Sequence, residues 1–233
     1  MENIKSINEH LFAIDNLIDD QYFADLSKTA HNYLYNPTNK DDPSSIWHFN
    51  GKCNPFISQN IVWTHNTDYR EVLKKIPGIT LFPTNTILDE LISKIHEIAI
   101  KLNIYGDLGQ HWVGSLSSIY KYDNGKKLIW HTDSHNYTGA FTYYLHDIWK
   151  QDWGGYFLYK NVLKLNEYPQ DDGGFLYPSP NRLVLLKSPL LHSISPVTTP
   201  TEEYSRIALT GFFVKPDRVV ELLSRFTNYH SIT

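Results

Sequence analysis

The chain has 233 residues, of which 41% are hydrophobic and 20% charged, and its formal net charge at pH 7 is -4. This length suits one buried core and is short for two domains. The 21 basic residues are scattered, which argues against nucleic acid or an anionic membrane surface as a partner. The single cysteine, Cys53, excludes an internal disulfide and a zinc site built from several thiolates.

No apolar run approaches the roughly 18 residues of a membrane span, and the N-terminus lacks the apolar stretch of a signal peptide. We therefore expect a cytoplasmic protein with no membrane or nucleic-acid partner, whose ligand is small or neutral. One domain is predicted over residues 1–233, with a helical N-terminal part over about 1–108.

The first predicted helix covers residues 19–36, where two acidic residues precede apolar side chains at helical spacing. The apolar positions are Phe23, Leu26, Ala30, Tyr33 and Leu34. A second helix is predicted over residues 86–103, with Thr86 and Asp89 as a capping pair at its start. Both helices are expected to pack on one face of a sheet.

From about residue 109 the pattern changes to short runs rich in aromatic and β-branched residues, separated by turns that contain Gly, Asn, Asp or Pro. Many short strands at this spacing are typical of a sandwich or barrel, here over about 109–214. The tail returns to a helical pattern over about 216–228, and Pro216 suits a helix start.

The stretch LIWHTDSHNY, residues 128–137, contains the first candidate ligands. In an extended strand His131 and Asp133 point to one face, opposite Leu128 and Trp130. Imidazole plus carboxylate suits a divalent first-row metal, provided that a third donor comes from elsewhere in the fold. A polar surface turn or a buried structural histidine is the alternative for so short a motif.

Two later residues extend the candidate site. His192 stands at the start of a short extended run after an apolar strand and a turn that contains Pro. Arg206 stands at the head of the apolar run RIALTGFF. Such an arginine either reaches solvent or an acidic side chain, or it binds the carboxylate of a bound acid through its two-pronged guanidinium group.

These motifs stand in the order H-x-D, Y-L-x-x-x-W, G-G, a strand-start His and an Arg before an alternating strand. In this order they resemble the Fe(II)- and 2-oxoglutarate-dependent oxygenases, closest to the prolyl-hydroxylase-like branch. By that resemblance His131, Asp133 and His192 would hold iron and carry the catalysis. Trp149 and Gly154–Gly155 match further landmarks of the family.

The same resemblance implies where 2-oxoglutarate binds. Arg206 and Tyr144 would hold the distal carboxylate of 2-oxoglutarate, and Tyr122 would contact the 2-oxoglutarate molecule. Arg218 is the nearby substitute for Arg206. The cofactors implied are Fe(II), 2-oxoglutarate and O2, with ascorbate as a supporting reductant. Because Asp133 is present, hydroxylation is favoured over halogenation, for which related enzymes replace this carboxylate.

The resemblance implies a mainly β fold with flanking helices around a double-stranded β-helix, a jelly-roll core of cupin type. It implies hydroxylation of an unactivated C–H bond in a small molecule, such as an amino acid or a natural-product intermediate. A prolyl or other protein residue is the alternative substrate, and a non-catalytic cupin-like binding module is the alternative of another class.

The surroundings of the site are predicted in less detail. Trp130, Tyr137 and Tyr120 are candidates for the wall of a substrate cavity, and His135 is a candidate for the same wall or for an exposed turn. Loops around residues 40–70 and 161–174 are the expected positions of a lid or a specificity segment.

Overall fold

A computed structural model describes residues 4–38, 46–76, 78–161, 172–201 and 203–218 of the chain. The helices are α1 Asp20–His31, α2 Ile46–Asn50, α3 Thr67–Leu73 and α4 Leu88–Leu102. The strands are β1 Ile4–Asn8, β2 Leu11–Ile14, β3 Asn36–Pro37, β4 Phe56–Ile57, β5 Asn60–Thr64, β6 Ile79–Leu81, β7 Gly114–Tyr122, β8 Leu128–His131, β9 Tyr137–Tyr144, β10 Phe157–Lys160, β11 Gly173–Leu176, β12 Leu183–Lys187, β13 His192–Ile194 and β14 Arg206–Val214.

The strands form two sheets. The larger has the order β1-β2-β12-β9-β14-β7-β4-β3, with β5 paired to β7 and β6, and the smaller has the order β11-β10-β13-β8. One buried cluster joins Phe157 and Leu176 of the smaller sheet to Ala140, Tyr144 and Val184 of the larger, so the two sheets face each other. This is the two-sheet, mainly β architecture that the sequence predicted.

Alternation along the strands decides which side chains enter the space between the sheets. On β14, Ile207 and Leu209 belong to a cluster that contains helix residues, whereas Ala208 belongs to the cluster between the sheets. Because successive side chains point to opposite faces of a strand, Arg206 and Thr210 share the inner face with Ala208.

Two helices cover the outer face of the larger sheet, as predicted. Leu26 of α1 and Leu91 of α4 lie in one buried cluster with Phe141, Tyr143 and Leu185 of the sheet. At roughly 25 cal/mol per Å² of apolar surface, burial of this kind is the main term that holds a helix against a sheet. The helices therefore leave the opposite, inner face free for a site.

The predicted bounds of the helices are partly wrong. The first helix ends at His31 rather than at residue 36, because the chain turns at Asn32 and Asn36 enters β3. Leu34, predicted on the buried face, is 86% exposed. At the second helix Thr86 and Asp89 do not cap reciprocally: the Asp89 carboxylate accepts from the backbone N–H groups of Thr84 and Asn85.

The N-terminal part is also not purely helical, since the six strands β1–β6 lie before residue 109. These strands are short, and β1 and β2 extend the larger sheet by pairing β2 with β12. The predicted C-terminal helix falls mainly on residues outside the described ranges, apart from a 3-10 turn at Pro216–Arg218. Among the described residues no helix is long and apolar enough to cross a membrane.

Candidate active site

The pairing of β13 with β8 brings the three predicted metal ligands together. His192 lies opposite His131 in the register, and the two imidazole rings have centroids 4.2 Å apart. Asp133 follows the end of β8 in the loop. One ligand atom from each of His131, Asp133 and His192 lies within 4.8 Å of the other two. A group of this size and composition can hold one metal ion.

Backbone carbonyl groups fix the ring orientation and the tautomer of the two histidines. The Nδ1 atom of His131 lies 2.9 Å from the Ile129 carbonyl oxygen, and that of His192 lies 2.9 Å from the Leu190 carbonyl oxygen. Since a carbonyl only accepts, each Nδ1 carries the proton and each Nε2 keeps its lone pair. Those Nε2 atoms lie 3.8 and 3.9 Å from the same oxygen of Asp133.

Burial shifts the protonation of all three groups. Loss of solvent lowers the pKa of His131 and of His192 to about 4, so both imidazoles are neutral near pH 7. Burial raises the pKa of the Asp133 carboxyl to about 6, against a smaller opposing effect of His131. The other carboxylate oxygen, Oδ2, is buried without a hydrogen-bond partner. Two neutral imidazoles and a desolvated carboxylate favour a cation in their midst.

Arg206 is held rigidly in the interior, with 1% of its surface exposed. Its Nε donates to the Gly155 carbonyl oxygen at 2.9 Å, and its guanidinium carbon lies 5.0 and 4.9 Å from the ring centres of Tyr122 and Tyr144. Within the described part of the chain no acidic side chain pairs with it. The Nη2 atom of Arg206 and the hydroxyl of Tyr144 are both buried without a hydrogen-bond partner.

The Gly154–Gly155 pair fixes the backbone next to Arg206. Both glycines have positive φ, at +63° and +66°, which other residues adopt only with strain. A Cβ added at Gly155 would lie 2.9 Å from Cδ of Arg206 and 3.1 Å from the Trp149 ring. The Trp149 indole N–H donates to the Gly154 carbonyl oxygen at 2.9 Å, so the tryptophan and the glycines form one support.

A cavity of about 710 Å³ opens at the metal-ligand group. His131, Asp133 and His192 line it, as do Trp130, Tyr137, Tyr120 and Tyr122, which the sequence analysis named. Arg206 and Tyr144 are not among its lining residues. Tyr122 contacts both the cavity and the guanidinium group, and burial raises the pKa of its hydroxyl far above the ordinary value, so the hydroxyl remains a donor.

The cavity also contains residues that the sequence analysis missed. Trp47 of α2, Asn60 of β5, Ser118 of β7 and Thr210 of β14 line it. Alternation from Tyr120 and Tyr122 could have placed Ser118 on the inner face, and alternation from Arg206 could have placed Thr210 there. Trp47 and Asn60 lie in the 40–70 segment that was expected to form a lid or specificity segment, but no local motif indicated these two residues individually.

The remaining residues and loops predicted around the site are only partly found at the cavity. His135 is exposed and lines a second, more open cavity with Lys187 and Lys215 rather than the metal-ligand cavity. Five residues of the expected 40–70 segment line the main cavity: Ile46, Trp47, Phe49, Ile57 and Asn60. The side chain of Arg218 and most of the expected 161–174 loop lie outside the described residues.

The site contains the groups that an iron and 2-oxo acid site needs. Two imidazole nitrogens and a carboxylate are the three-donor set that non-haem Fe(II) oxygenases use. The unpartnered Nη2 of Arg206 and hydroxyl of Tyr144 are two donors that a carboxylate would accept from. One carboxylate oxygen of Asp133 and the two donors of Arg206 and Tyr144 are buried without a partner, which is unfavourable until an ionic ligand is bound.

Comparison with known proteins gives a consistent result. Residues 117–214 match the family model of the 2OG-Fe(II) oxygenase superfamily. This segment contains all six residues named for iron and 2-oxoglutarate. No curated protein matches the sequence.

Solved structures with the same fold cover most of the chain. A prolyl hydroxylase from Trichoplax adhaerens, in complex with a hypoxia inducible factor oxygen degradation domain peptide fragment, matches with a TM-score of 0.64 at 17% identity, covering 92% of this chain and 87% of that chain. A Pseudomonas putida prolyl-4-hydroxylase matches with a TM-score of 0.58 at 12% identity, covering 88% of this chain and 92% of that chain. At such identities these likenesses establish the fold and confirm the jelly-roll prediction.

Proposed function

We propose that this chain is a 2OG-Fe(II) oxygenase, in keeping with the family model that matches residues 117–214, and that it hydroxylates an unactivated C–H bond of a small molecule. An amino acid or a natural-product intermediate is the substrate range that we infer. Its cofactors are Fe(II), 2-oxoglutarate and O2. The observation that carries the proposal is the His131, Asp133 and His192 group, whose ligand atoms lie within 4.8 Å of one another beside a cavity.

In this proposal His131 and His192 bind iron through Nε2 and Asp133 binds it through its carboxylate. With 2-oxoglutarate and O2, Fe(II) held by these three residues would supply the oxidation that yields succinate, CO2 and the hydroxylated product. The protein holds the reactants in place and keeps water from the reacting carbon. The carbonyl oxygens of Ile129 and Leu190 keep both imidazoles oriented toward the shared site.

We assign the distal carboxylate of 2-oxoglutarate to Arg206 and Tyr144, with Tyr122 beside them. Arg206 is anchored through Nε on Gly155, which leaves Nη2 available to a ligand. A guanidinium group and a phenol presented side by side match one carboxylate, and both are worth more in a buried site than in water. This arrangement supports an oxygenase over a non-catalytic cupin-like module, which would not need to bind a 2-oxo acid.

The domain organisation is part of the proposal. One oxygenase domain accounts for residues 1–233, since β2 extends the larger sheet and α2 and β5 contribute residues to the cavity. The cavity volume of about 710 Å³ is in the size range of small-molecule sites, which supports a small substrate.

A second candidate function is hydroxylation of a prolyl or other protein residue. It is favoured by the fold likeness to prolyl hydroxylases, one of them in complex with a peptide fragment. In both candidates the iron and 2-oxoglutarate sites are the same, and they differ only in what enters the cavity mouth.

Conversion of 2-oxoglutarate to succinate by the purified protein with Fe(II) and O2 tests the proposal. Small molecules and short peptides are added in parallel, and the product is checked for an oxygen atom derived from ¹⁸O2. We expect succinate that depends on Fe(II) and is stimulated by a small molecule. Stimulation by peptides alone would support the second candidate, and no succinate from folded, iron-loaded protein would refute both.

A further inference from the structure

The substrate side of the cavity is uncharged. Among the lining residues that the structure describes, Asp133 is the one acidic side chain and lysine and arginine do not occur. Arg206 serves 2-oxoglutarate in the proposed function, and His131 and His192 serve the metal. The described part of the remaining wall therefore contains no lysine, arginine or second carboxylate to pair with a charged substrate group, and the Nζ atom of Lys160 lies outside the wall, 5.9 Å from the ring centre of Trp130.

Aromatic residues line this cavity, and two of them are exposed to solvent. Trp47 and Tyr120 have ring centroids 6.0 Å apart, while Phe49 and Trp130 line the same cavity with 68% and 43% of their surfaces exposed. Exposed aromatic rings in the wall of a cavity favour an apolar ligand, because its binding removes apolar surface from water. The cavity walls therefore favour an apolar substrate. Specificity among apolar substrates must come from the few polar side chains that line the cavity.

Asn60 and Ser118 are such a polar pair. The Ser118 hydroxyl donates to Oδ1 of Asn60 at 2.7 Å, and Ser118 is 2% exposed. Asn60 is the first residue of β5, which pairs with β7 next to Ser118, and both side chains line the cavity. Its Nδ2 donates to no acceptor among the described residues.

This pair can bind a neutral group in two ways at once. Nδ2 of Asn60 has N–H groups to donate, and the Ser118 oxygen, whose proton goes to Asn60, can still accept. An amide of a ligand offers the matching carbonyl and N–H. A carboxylate or ammonium group buried at this position would find no ionic partner among the described lining residues and would lose its hydration, which disfavours its binding.

We propose that Asn60 and Ser118 form a substrate subsite that selects an uncharged, amide-bearing group attached to an apolar body, and that rejects free zwitterionic amino acids. The inference rests on the proposed function, since it assigns Arg206 to 2-oxoglutarate. A blocked amino acid, an amide natural product and a residue within a peptide all present this chemistry, so the subsite narrows the proposed substrate range by excluding free amino acids.

Binding of matched probes tests the subsite without turnover. The full chain is loaded with Zn(II), which has no redox chemistry, and with 2-oxoglutarate. Dissociation constants are then measured by calorimetry and ligand-observed NMR. The probes are N-acetyl amino acid amides of leucine, proline, phenylalanine and tryptophan, compared with the corresponding free amino acids and with the corresponding amino acid amides, which keep a cationic amine. A capped pentapeptide distinguishes peptide from small-molecule sources of the same amide chemistry.

We expect the best neutral probe to bind at least tenfold more tightly than its zwitterionic and cationic counterparts. Asn60→Asp keeps the acceptor for Ser118 but replaces the free donor with a carboxylate, so it should remove that preference and favour the cationic amides. Ser118→Ala should weaken neutral probes tenfold or more. Ser117→Ala, on the opposite face of the same strand, is the matched control and should leave binding unchanged.

Each outcome decides the inference. Equal or tighter binding of a zwitterionic or cationic probe to the parent, no binding of any neutral probe, or an unchanged preference in Asn60→Asp refutes the subsite. Succinate formation with Fe(II) is measured separately on the parent. Succinate without neutral preference refutes the subsite alone, whereas neutral preference without succinate refutes the proposed function alone.

Discussion

The guanidinium carbon of Arg206 lies 4.9 Å from the ring centre of Tyr144, yet Nη2 of the arginine and the hydroxyl of the tyrosine both lack a hydrogen-bond partner. Two buried donors side by side without an acceptor are costly in a folded protein. A ligand carboxylate would satisfy both at once, which is why we assign this pair to 2-oxoglutarate.

Arg206→Ala is expected to raise the apparent KM for 2-oxoglutarate by at least about 100-fold, because loss of one member of a buried ionic pair costs about 3–5 kcal/mol. Metal affinity, measured by titration, should stay within a few-fold of the parent. Arg182→Ala is a suitable control, since Arg182 pairs with Asp15 near the surface. A change of only a few-fold in the Arg206 variant would mean that 2-oxoglutarate binds elsewhere.

Gly155→Ala tests how Arg206 is positioned. The new Cβ would lie 2.9 Å from Arg206 Cδ, so the arginine must move and the KM for 2-oxoglutarate should rise tenfold or more. Gly125→Ala is the matched control, because Gly125 has a similar φ of +78° and open space around it. Both variants should lose about 1–2 kcal/mol of stability to backbone strain. Equal KM values for the two variants would contradict the positioning role.

His131→Ala should abolish substrate turnover and weaken metal binding by at least 100-fold, because one of three metal donors is lost. The circular dichroism spectrum and the order of the two sheets should be retained. His135→Ala provides the comparison, since His135 stands four residues away but is exposed and lines the other cavity. Equal metal affinity in the two variants would exclude His131 as a ligand.

His96 makes the stability of the fold depend on pH. It is 2% exposed, stacks on Trp63 with centroids 4.0 Å apart and bonds Ser115, and burial lowers its pKa from 6.5 to about 4. As the pH falls below 6.5, the histidine is therefore protonated in the unfolded chain before it is protonated in the folded protein. The stabilisation of the fold that depends on a neutral His96 is complete above pH 6.5 and is lost toward pH 4.

From these values the free energy of unfolding should lose roughly 2 kcal/mol between pH 7 and pH 5 through His96 alone. Urea unfolding of the parent and of His96→Gln at both pH values measures the difference, since the other histidines are common to both proteins. The variant should show the smaller loss. Parallel pH profiles would contradict the assignment.

The residues of the candidate site were predictable to different degrees. The H-x-D spacing predicted that His131 and Asp133 share one face, and alternation along β14 predicted the face that Arg206 shares with Thr210. Asp133 reaches the site from the loop after β8 rather than from the strand itself. The meeting of His131 and Asp133 with His192 depends on the pairing of β13 with β8, and only the resemblance to a family indicated that pairing. Strand register across a long connection is set by the whole fold and leaves little trace in a local pattern.

The N-terminal part was predicted less well for a related reason. The runs IKSIN and LFAI of β1 and β2 are too short for a clear period, and their strand state depends on pairing with β12. Leu34 fitted the helical spacing but lies beyond the turn at Asn32, where the helix ends. Asn60 and Trp47 reach the cavity through tertiary packing alone, so no sequence motif marks them.

Crystals grown anaerobically with Fe(II) and 2-oxoglutarate, measured at the iron absorption edge, test the central claim most directly. We expect one anomalous peak within metal–ligand bonding distance of Nε2 of His131, Nε2 of His192 and a carboxylate oxygen of Asp133, with the distal carboxylate of 2-oxoglutarate on Arg206. A peak that lies far from any of these three residues, or iron bound only elsewhere, would contradict it.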